Sequence, residues 1–353
     1  MKINSKNERV KRRYRKFLKE ADGKSDQTIR QVDRAIARYE GFTGKVDFAT
    51  FDQRKAIQFK NQLAEQDLAK ATILSTVNAL KRFLCWLSLE TGYKSRIKKN
   101  NIEYLNLAEK DVRAARSPAE RPFPSLEQVR KAISKMPGAT PIELRDRAIV
   151  AMLALTGVRD GALITLKSKH LDMARGKVLQ NPNEVATKRS KRIDTFLLNI
   201  APEVKDMLLD WKRYQVEELM FAPNDPLFPA TLVENDREHG FVAKDLSRHH
   251  WANAGPVRKI VQKAFEAAGL PYYQPHSFRN MLTQVGYELC KTPEELKIWS
   301  QNFGHDEVLT TLTSYGSIDQ IRQAEVIGQL GTEKAMDAPL TKKDLLEFLS
   351  QNK

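Results

Sequence analysis

The sequence is short of several things, and each shortage excludes something. Two cysteines, Cys85 and Cys290, stand far apart in 353 residues. They supply neither a disulfide framework nor a zinc site, and both are expected to be buried thiols in a reducing compartment. Long hydrophobic runs are absent: the longest apolar stretch, "AIVAMLAL" at 148–155, is far too short to span a bilayer. The N-terminal "MKINSKNERVKRRYRKF" has no apolar signal-peptide core, so no secretory leader is expected and a cytoplasmic location follows. No G-x-x-x-x-G-K-[ST] loop occurs, which disfavours nucleotide hydrolysis. Carboxylates are plentiful but form no metal-nuclease constellation, and His239, His249 and His250 read as structural histidines. No bound metal, cofactor or membrane partner is expected. The composition, 41% hydrophobic and 29% charged, suits a soluble globular chain long enough for two domains.

Positive charge is what the chain has in excess. Lys plus Arg number 59 against 44 Asp plus Glu, a formal +15. Residues 1–115 hold 26 basic and 14 acidic side chains, so most of the excess lies in the first third. That asymmetry favours a polyanionic partner, with nucleic acid the first candidate and an acidic membrane surface the second.

The first third reads as helical. "SDQTIRQVDRAIARYEGFTG" starts at a capping Ser25 and repeats apolar residues at Ile29, Val32, Ile36 and Tyr39. Arg30, Arg34 and Arg38 recur every four residues on another face, a spacing suited to a phosphate backbone. "ATILSTVNALKRFLCWLSLETG" repeats the pattern with Ile73, Val77, Leu80, Leu84 and Leu87 and stops at Gly92. Its Lys81 and Arg82, with Lys94, Arg96, Lys98 and Lys99 of the basic run behind it, complete the candidate DNA-contacting set. Arginine stripes are often only solvated faces; here their sum carries the expectation. Residues 105–125 read as a linker broken by prolines. A second domain starts at "SLEQVRKAISKM", capped by Ser125, and continues with the helix "PIELRDRAIVAMLALTG", stopped by Gly157. Between 176 and 198 the period changes: an Asn-Pro-Asn turn and alternation at Ile193, Thr195 and Leu197 predict a small antiparallel sheet. "VKDMLLDWKRYQVEELM" and "GPVRKIVQKAFEAAG", with Pro256 in its first turn, return to helix.

Three clusters in this second domain carry chemistry. "TGVRDGALITL" sets Arg159 behind a helix-ending Thr-Gly. "QPHSFRNML" sets His276 and Arg279 three apart, expected on one face of a helix begun by Pro275. "FGHDEVLTTLTSYG" supplies His305 and Tyr315, and "ATKRSKR" offers Lys188 in or beside a hairpin turn. Arginines are permanent cations whose planar fork matches two phosphate oxygens. A helix start at His276 aims backbone N–H groups at an anion. A lysine can donate a proton to a leaving oxygen. Tyrosine, with a free pKa of roughly 10, becomes a better nucleophile beside cations. Together they make a site for phosphoryl transfer through a covalent enzyme intermediate. Each residue alone has an ordinary reading as a cap, a surface charge or a half-buried ring; the set does not.

The order Arg, Lys, His-x-x-Arg, Gly-His and Tyr resembles the tyrosine recombinases, the phage integrase family, over most of the chain. The resemblance implies a mainly α protein with a small antiparallel β-sheet. A helical core-binding domain (1–110) and a linker (111–124) would precede a mixed α/β catalytic domain of the tyrosine recombinase type (125–335) and a helical tail (336–353). It implies that Arg159 and Arg279 hold the scissile phosphate, that His276 assists proton transfer at the nucleophile, and that His305 hydrogen-bonds a phosphate oxygen. Lys188 would protonate the departing 5′-oxygen, and Tyr315 would form a 3′-phosphotyrosyl link. Lys188 is preferred to Lys191 because it opens the turn as the family lysine does. The sequence departs from the family at the usual acidic position three residues after the first arginine, which is Ala162, with Asp160 nearby.

The expected function is therefore site-specific recombination of double-stranded DNA, integrating or excising a mobile element. A homotetramer on paired sites is implied, with accessory DNA-bending or directionality proteins as further partners. In the tail, Thr341 and Asp344 form a capping pattern, and Leu345, Phe348 and Leu349 an apolar stripe, suited to docking on a neighbouring protomer. Only about twenty residues precede Ser25, so a simple core site is expected. The competing readings are strand relaxation of the type IB topoisomerase kind and a DNA-binding protein without catalysis.

Overall fold

The structure is a computed structural model that describes residues 3–117, 122–187, 191–236 and 240–304. The chain divides into two compact units, Met1–Pro118 and Ala119–Lys353.

The described elements of the first unit are all helices: α1 (Ser5–Glu20), α2 (Asp26–Thr43), α3 (Gln53–Glu65), α4 (Lys70–Leu87), α5 (Lys99–Glu103) and α6 (Glu109–Arg116), with a short 3₁₀ turn at Phe48–Thr50. Ser25 caps α2 by accepting from the Thr28 N–H, and Gly44 ends it in the left-handed region. The apolar stripes read from the sequence face inward: Ile29, Val32, Ile36 and Tyr39 from α2 meet Val77, Leu80, Leu84 and Leu87 from α4. Rings lock the middle of this core, with Tyr14 and Phe48 each about 5 Å from Phe83 and Tyr39 edge-on to Phe59 at 5.2 Å. The segment read as a linker is helical over Glu109–Arg116. No side chain caps α6, but acids fill its first turn and arginines its last, matching the helix dipole, and Glu109 pairs with Arg113 one turn on.

The second unit is built around α8 (Pro141–Thr156), buried at every position from Ala148 to Thr156. The apolar run is thus a central helix rather than a one-sided one. Among the described residues no helix is long and apolar enough to cross a membrane. α7 (Leu126–Lys135) and α8 begin with capping boxes at Ser125 and Thr140. The short α9 (Asp160–Leu163) and a 3₁₀ turn at Ser168–His170 lead into a three-stranded antiparallel sheet: β1 (Leu171–Asp172), β2 (Lys177–Gln180) and β3 (Ile193–Phe196), in that order. Val178 faces Thr195 and Gln180 faces Ile193. The alternation is as read: Ile193, Thr195 and Leu197 are buried and Phe196 is exposed.

α10 (Pro202–Glu217) packs on α8. A second hairpin, β4 (Thr231–Asp236) and β5 (Gly240–Leu246), was not anticipated from "TLVENDREHGFVAKDL". α11 (Gly255–Ala267), α12 (Ser277–Leu289) and α13 (Pro293–Asn302) follow as the last elements among the described residues. Cys85 and Cys290 are free and half-buried, not fully buried as expected, and burial pushes the Cys290 thiol up.

Candidate active site

Arg279 organises the described part of the site. It is the third residue of α12 and is 3% exposed. One guanidinium nitrogen donates to the Gly157 carbonyl at 2.7 Å and the other to the Phe303 carbonyl at 3.0 Å, with the guanidinium 5.3 Å from the Phe303 ring centre. Both acceptors are peptide oxygens at helix ends, where carbonyls lack helical partners. A buried cation is costly unless hydrogen-bonded, and these carbonyls supply the bonds while fixing the plane of the fork.

Gly157 is needed there twice over. It ends α8 with φ +57°, and a Cβ on it would stand 3.1 Å from Cγ of Arg279. Two residues on, Arg159 begins α9 as its N-cap rather than ending α8. Its side chain is half-buried and makes no hydrogen bond or ion pair among the described residues. A permanent cation two residues beyond the carbonyl that Arg279 binds, without an ion-pair partner among the described residues, suits an incoming phosphate. Ala162 is buried in the core, and the nearby Asp160 is engaged by Arg258 at 3.1 Å.

His276 is the exposed N-cap of α12, while Arg279 points inward. Tight turns open the helix: the Ser277 and Arg279 amides donate to the carbonyls of Gln274 and His276.

The turn before His305 is held from three sides. The Asn302 side chain spans the backbone of Phe196, accepting from its N–H at 2.7 Å and donating to its carbonyl at 3.0 Å. This two-point bond imitates the next strand on the edge of β3. Arg279 holds the Phe303 carbonyl, and Lys191 reaches the Gly304 carbonyl at 3.5 Å. Gly304 has φ +72°, and a Cβ on it would stand 2.7 Å from Cδ1 of Ile193. Lys188, His305 and Tyr315 lie outside the described residues, as does the tail with Thr341, Asp344, Leu345, Phe348 and Leu349. Thus Arg279 ties the turn that leads to Arg159 to the turn that leads to His305, with His276 at the start of α12.

A carboxylate missed from the sequence anchors the loop ahead of Lys188. One Glu184 oxygen accepts from Lys167 at 2.9 Å and Lys169 at 2.7 Å; the other lies 3.2 Å from Nε2 of His170. Those donors, Lys169 foremost, hold the Glu184 carboxyl down at about 2. Burial depresses the His170 imidazole against the pull of Glu184. Below this turn, Lys212 donates to the Ser168 carbonyl at 2.7 Å, and burial brings its ammonium down to about 8. Nothing in the sequence flagged this cluster, whose members lie 14 to 17 residues apart across two turns. His250, read as structural, bonds through Nδ1 to the Ile164 carbonyl at 2.9 Å.

In the first unit Arg30, Arg34, Arg82, Lys94, Arg96, Lys98 and Lys99 are exposed and have no ion-pair partner among the described residues. Arg38 is exposed but donates to Thr76 at 3.3 Å, and Lys81 is engaged by Glu103 and Asn106, each at 2.8 Å. Arg9 and Arg12 of α1, passed over in the sequence, are likewise exposed and unpaired among the described residues.

Comparison with known proteins points the same way. Residues 125–320 match the family described as "Phage integrase family". Tyrosine recombinase XerC of Lactobacillus delbrueckii subsp. bulgaricus is 24% identical over 313 residues, covering 86% of this chain and 92% of that protein. The Tn1549 transposon integrase, solved in complex with transposon right end DNA, is similar in fold with a TM-score of 0.58 at 15% identity, over 92% of this chain and 99% of that one. A lambda integrase tetramer bound to a Holliday junction gives 0.56 at 14% identity, over 90% of this chain and 81% of that one.

Proposed function

Because the chain belongs to the phage integrase family and is a site-specific DNA recombinase, we propose that it cuts and rejoins double-stranded DNA through a 3′-phosphotyrosyl link to Tyr315, integrating or excising a mobile element. The observation that carries this reading is the buried Arg279, bonded at once to the Gly157 turn ahead of Arg159 and to the Phe303 turn ahead of His305.

In this mechanism Arg159 and Arg279 hold the non-bridging oxygens of the scissile phosphate and stabilise the charge of the transition state. His276 takes the phenol proton as the Tyr315 oxygen bonds to phosphorus. The bond from phosphorus to the 5′-oxygen breaks, Lys188 protonates that oxygen, and His305 hydrogen-bonds the phosphoryl group. The ester conserves the bond energy, so a second 5′-hydroxyl reverses the step with a new partner strand. The exposed arginines and lysines of the first unit bind the flanking phosphates. A homotetramer on paired sites is the working assembly; the lambda integrase tetramer on a Holliday junction supports it. Deleting residues 338–353 is expected to weaken cooperative assembly before simple DNA binding, read by native-gel titration.

Covalent trapping tests the reading. Nicked duplexes drawn from DNA flanking the gene are incubated with wild type and Tyr315→Phe and run under denaturing conditions. A protein–DNA adduct with wild type alone is expected. No adduct from either, with specific binding intact, would leave a DNA-binding protein without catalysis.

A further inference from the structure

The loop leading to Lys188 is fastened to the segment that follows Arg159 through side chains that the mechanism does not use. Glu184 accepts from Lys167 and Lys169 through one oxygen. The Lys167 backbone N–H donates to Nδ1 of His170 at 2.9 Å, so Nδ1 carries no proton and Nε2–H donates to the other Glu184 oxygen at 3.2 Å. His170 is 3% exposed, which fixes its ring in that tautomer and orientation. Two residues on, the Ala186 N–H donates to the Thr165 hydroxyl at 2.9 Å, and that hydroxyl donates to the Ala162 carbonyl. Val185, between them, is buried in the core. Lys188 follows Thr187 in the chain.

We propose that Glu184, oriented by His170, is a positioning residue that fixes the base of the lysine-bearing hairpin relative to Arg159, so that the ammonium meets the leaving oxygen. This inference rests on the reading of Lys188 as proton donor. A lysine has a long flexible stem, and its use as an acid depends on where its backbone starts. The clamp supplies that fixed point with three charge-assisted donors on one carboxylate.

The test replaces the leaving group. A 5′-bridging sulfur departs as a thiolate and needs no proton, so a defect confined to proton donation disappears on that substrate, whereas a damaged fold or phosphate clamp does not recover. Single-turnover cleavage is measured for wild type, Glu184→Ala, Glu184→Gln and Lys188→Ala on 5′-oxygen and 5′-sulfur duplexes. Glu184→Ala is expected to slow cleavage of the oxygen substrate by roughly tenfold to a hundredfold and to match wild type on sulfur. Glu184→Gln, whose single amide oxygen still accepts from the two lysines but whose NH2 then meets the Nε2–H of His170, is expected to fall in between. Lys188→Ala follows the same pattern with a deeper loss on oxygen. Wild-type rates for Glu184→Ala on oxygen, or a loss that persists on sulfur while Lys188→Ala recovers, overturn the clamp and leave Lys188 standing. A Lys188→Ala loss that persists on sulfur removes the proton-donor reading, and the inference with it.

Discussion

The two units use their cations in opposite ways. Arg30 and Arg34 of the first unit stand in solvent without ion-pair partners among the described residues, on a helix whose other face is packed. Arg279 of the second unit is buried and shaped by two backbone carbonyls. An exposed arginine acts by charge, is screened by salt, and tolerates replacement by lysine. A buried arginine acts by geometry: the fork must present itself in one plane, and lysine cannot copy it. Affinity and cutting should therefore separate by unit when residues are changed.

The largest expected separation is at Gly157. Gly157→Ala forces a left-handed backbone, at about 1–2 kcal/mol, and pushes on Cγ of Arg279. Cleavage should fall by more than that loss of stability explains, with DNA affinity unchanged; melting curves and single-turnover rates check it. Next comes Asn302→Leu, which removes both bonds to Phe196 and loosens the turn ahead of His305. Cleavage is expected to drop about tenfold at unaltered affinity; equal losses in both would mean that Asn302 serves stability alone. The opposite pattern belongs to the first unit. Replacing Arg30, Arg34 and Arg38 together by Gln should weaken binding and reduce the salt slope by about 0.9 for each phosphate that is no longer neutralised. Cleavage at saturating protein should stay at the wild-type rate, and an unchanged slope would take this helix off the DNA.

The smallest effect is on acid stability. The folded carboxyl of Glu184, at about 2, lies below its ordinary 4.5. Its contribution to stability is therefore present above about 4.5 and lost as pH falls toward 2. Glu184→Gln should flatten that part of the melting-temperature profile slightly, since the group is partly exposed. A profile parallel to wild type would refute the shift.

Much of the scaffold was legible because burial follows period. The stripes of α2 and α4, the capping residues Ser25 and Ser125, the stop at Gly157 and the alternation of β3 all appear inside the core or at element ends. α6 was missed because it has no capping side chain and no fully buried residue, and its support comes from charge placement and α4. The β4–β5 hairpin was missed because charged residues interrupt its alternation and Leu232, Val233 and Val242 remain exposed. At the site, the residue types and order were legible, but the inward direction of Arg279 was not. "HSFR" shows an arginine; only the meeting of two helix ends shows what turns it inward. Glu184 and Asn302 were invisible for the same reason, since their partners are distant in sequence and no spacing rule connects them.

The most direct measurement compares Arg279→Lys with Arg34→Lys in covalent trapping and equilibrium binding on one nicked core site. Arg279→Lys is expected to bind that site as wild type does but to form no phosphotyrosyl adduct, while Arg34→Lys forms the adduct normally. Adduct formation by Arg279→Lys at the wild-type rate would contradict it, because the buried fork would then not be what shapes the cutting site.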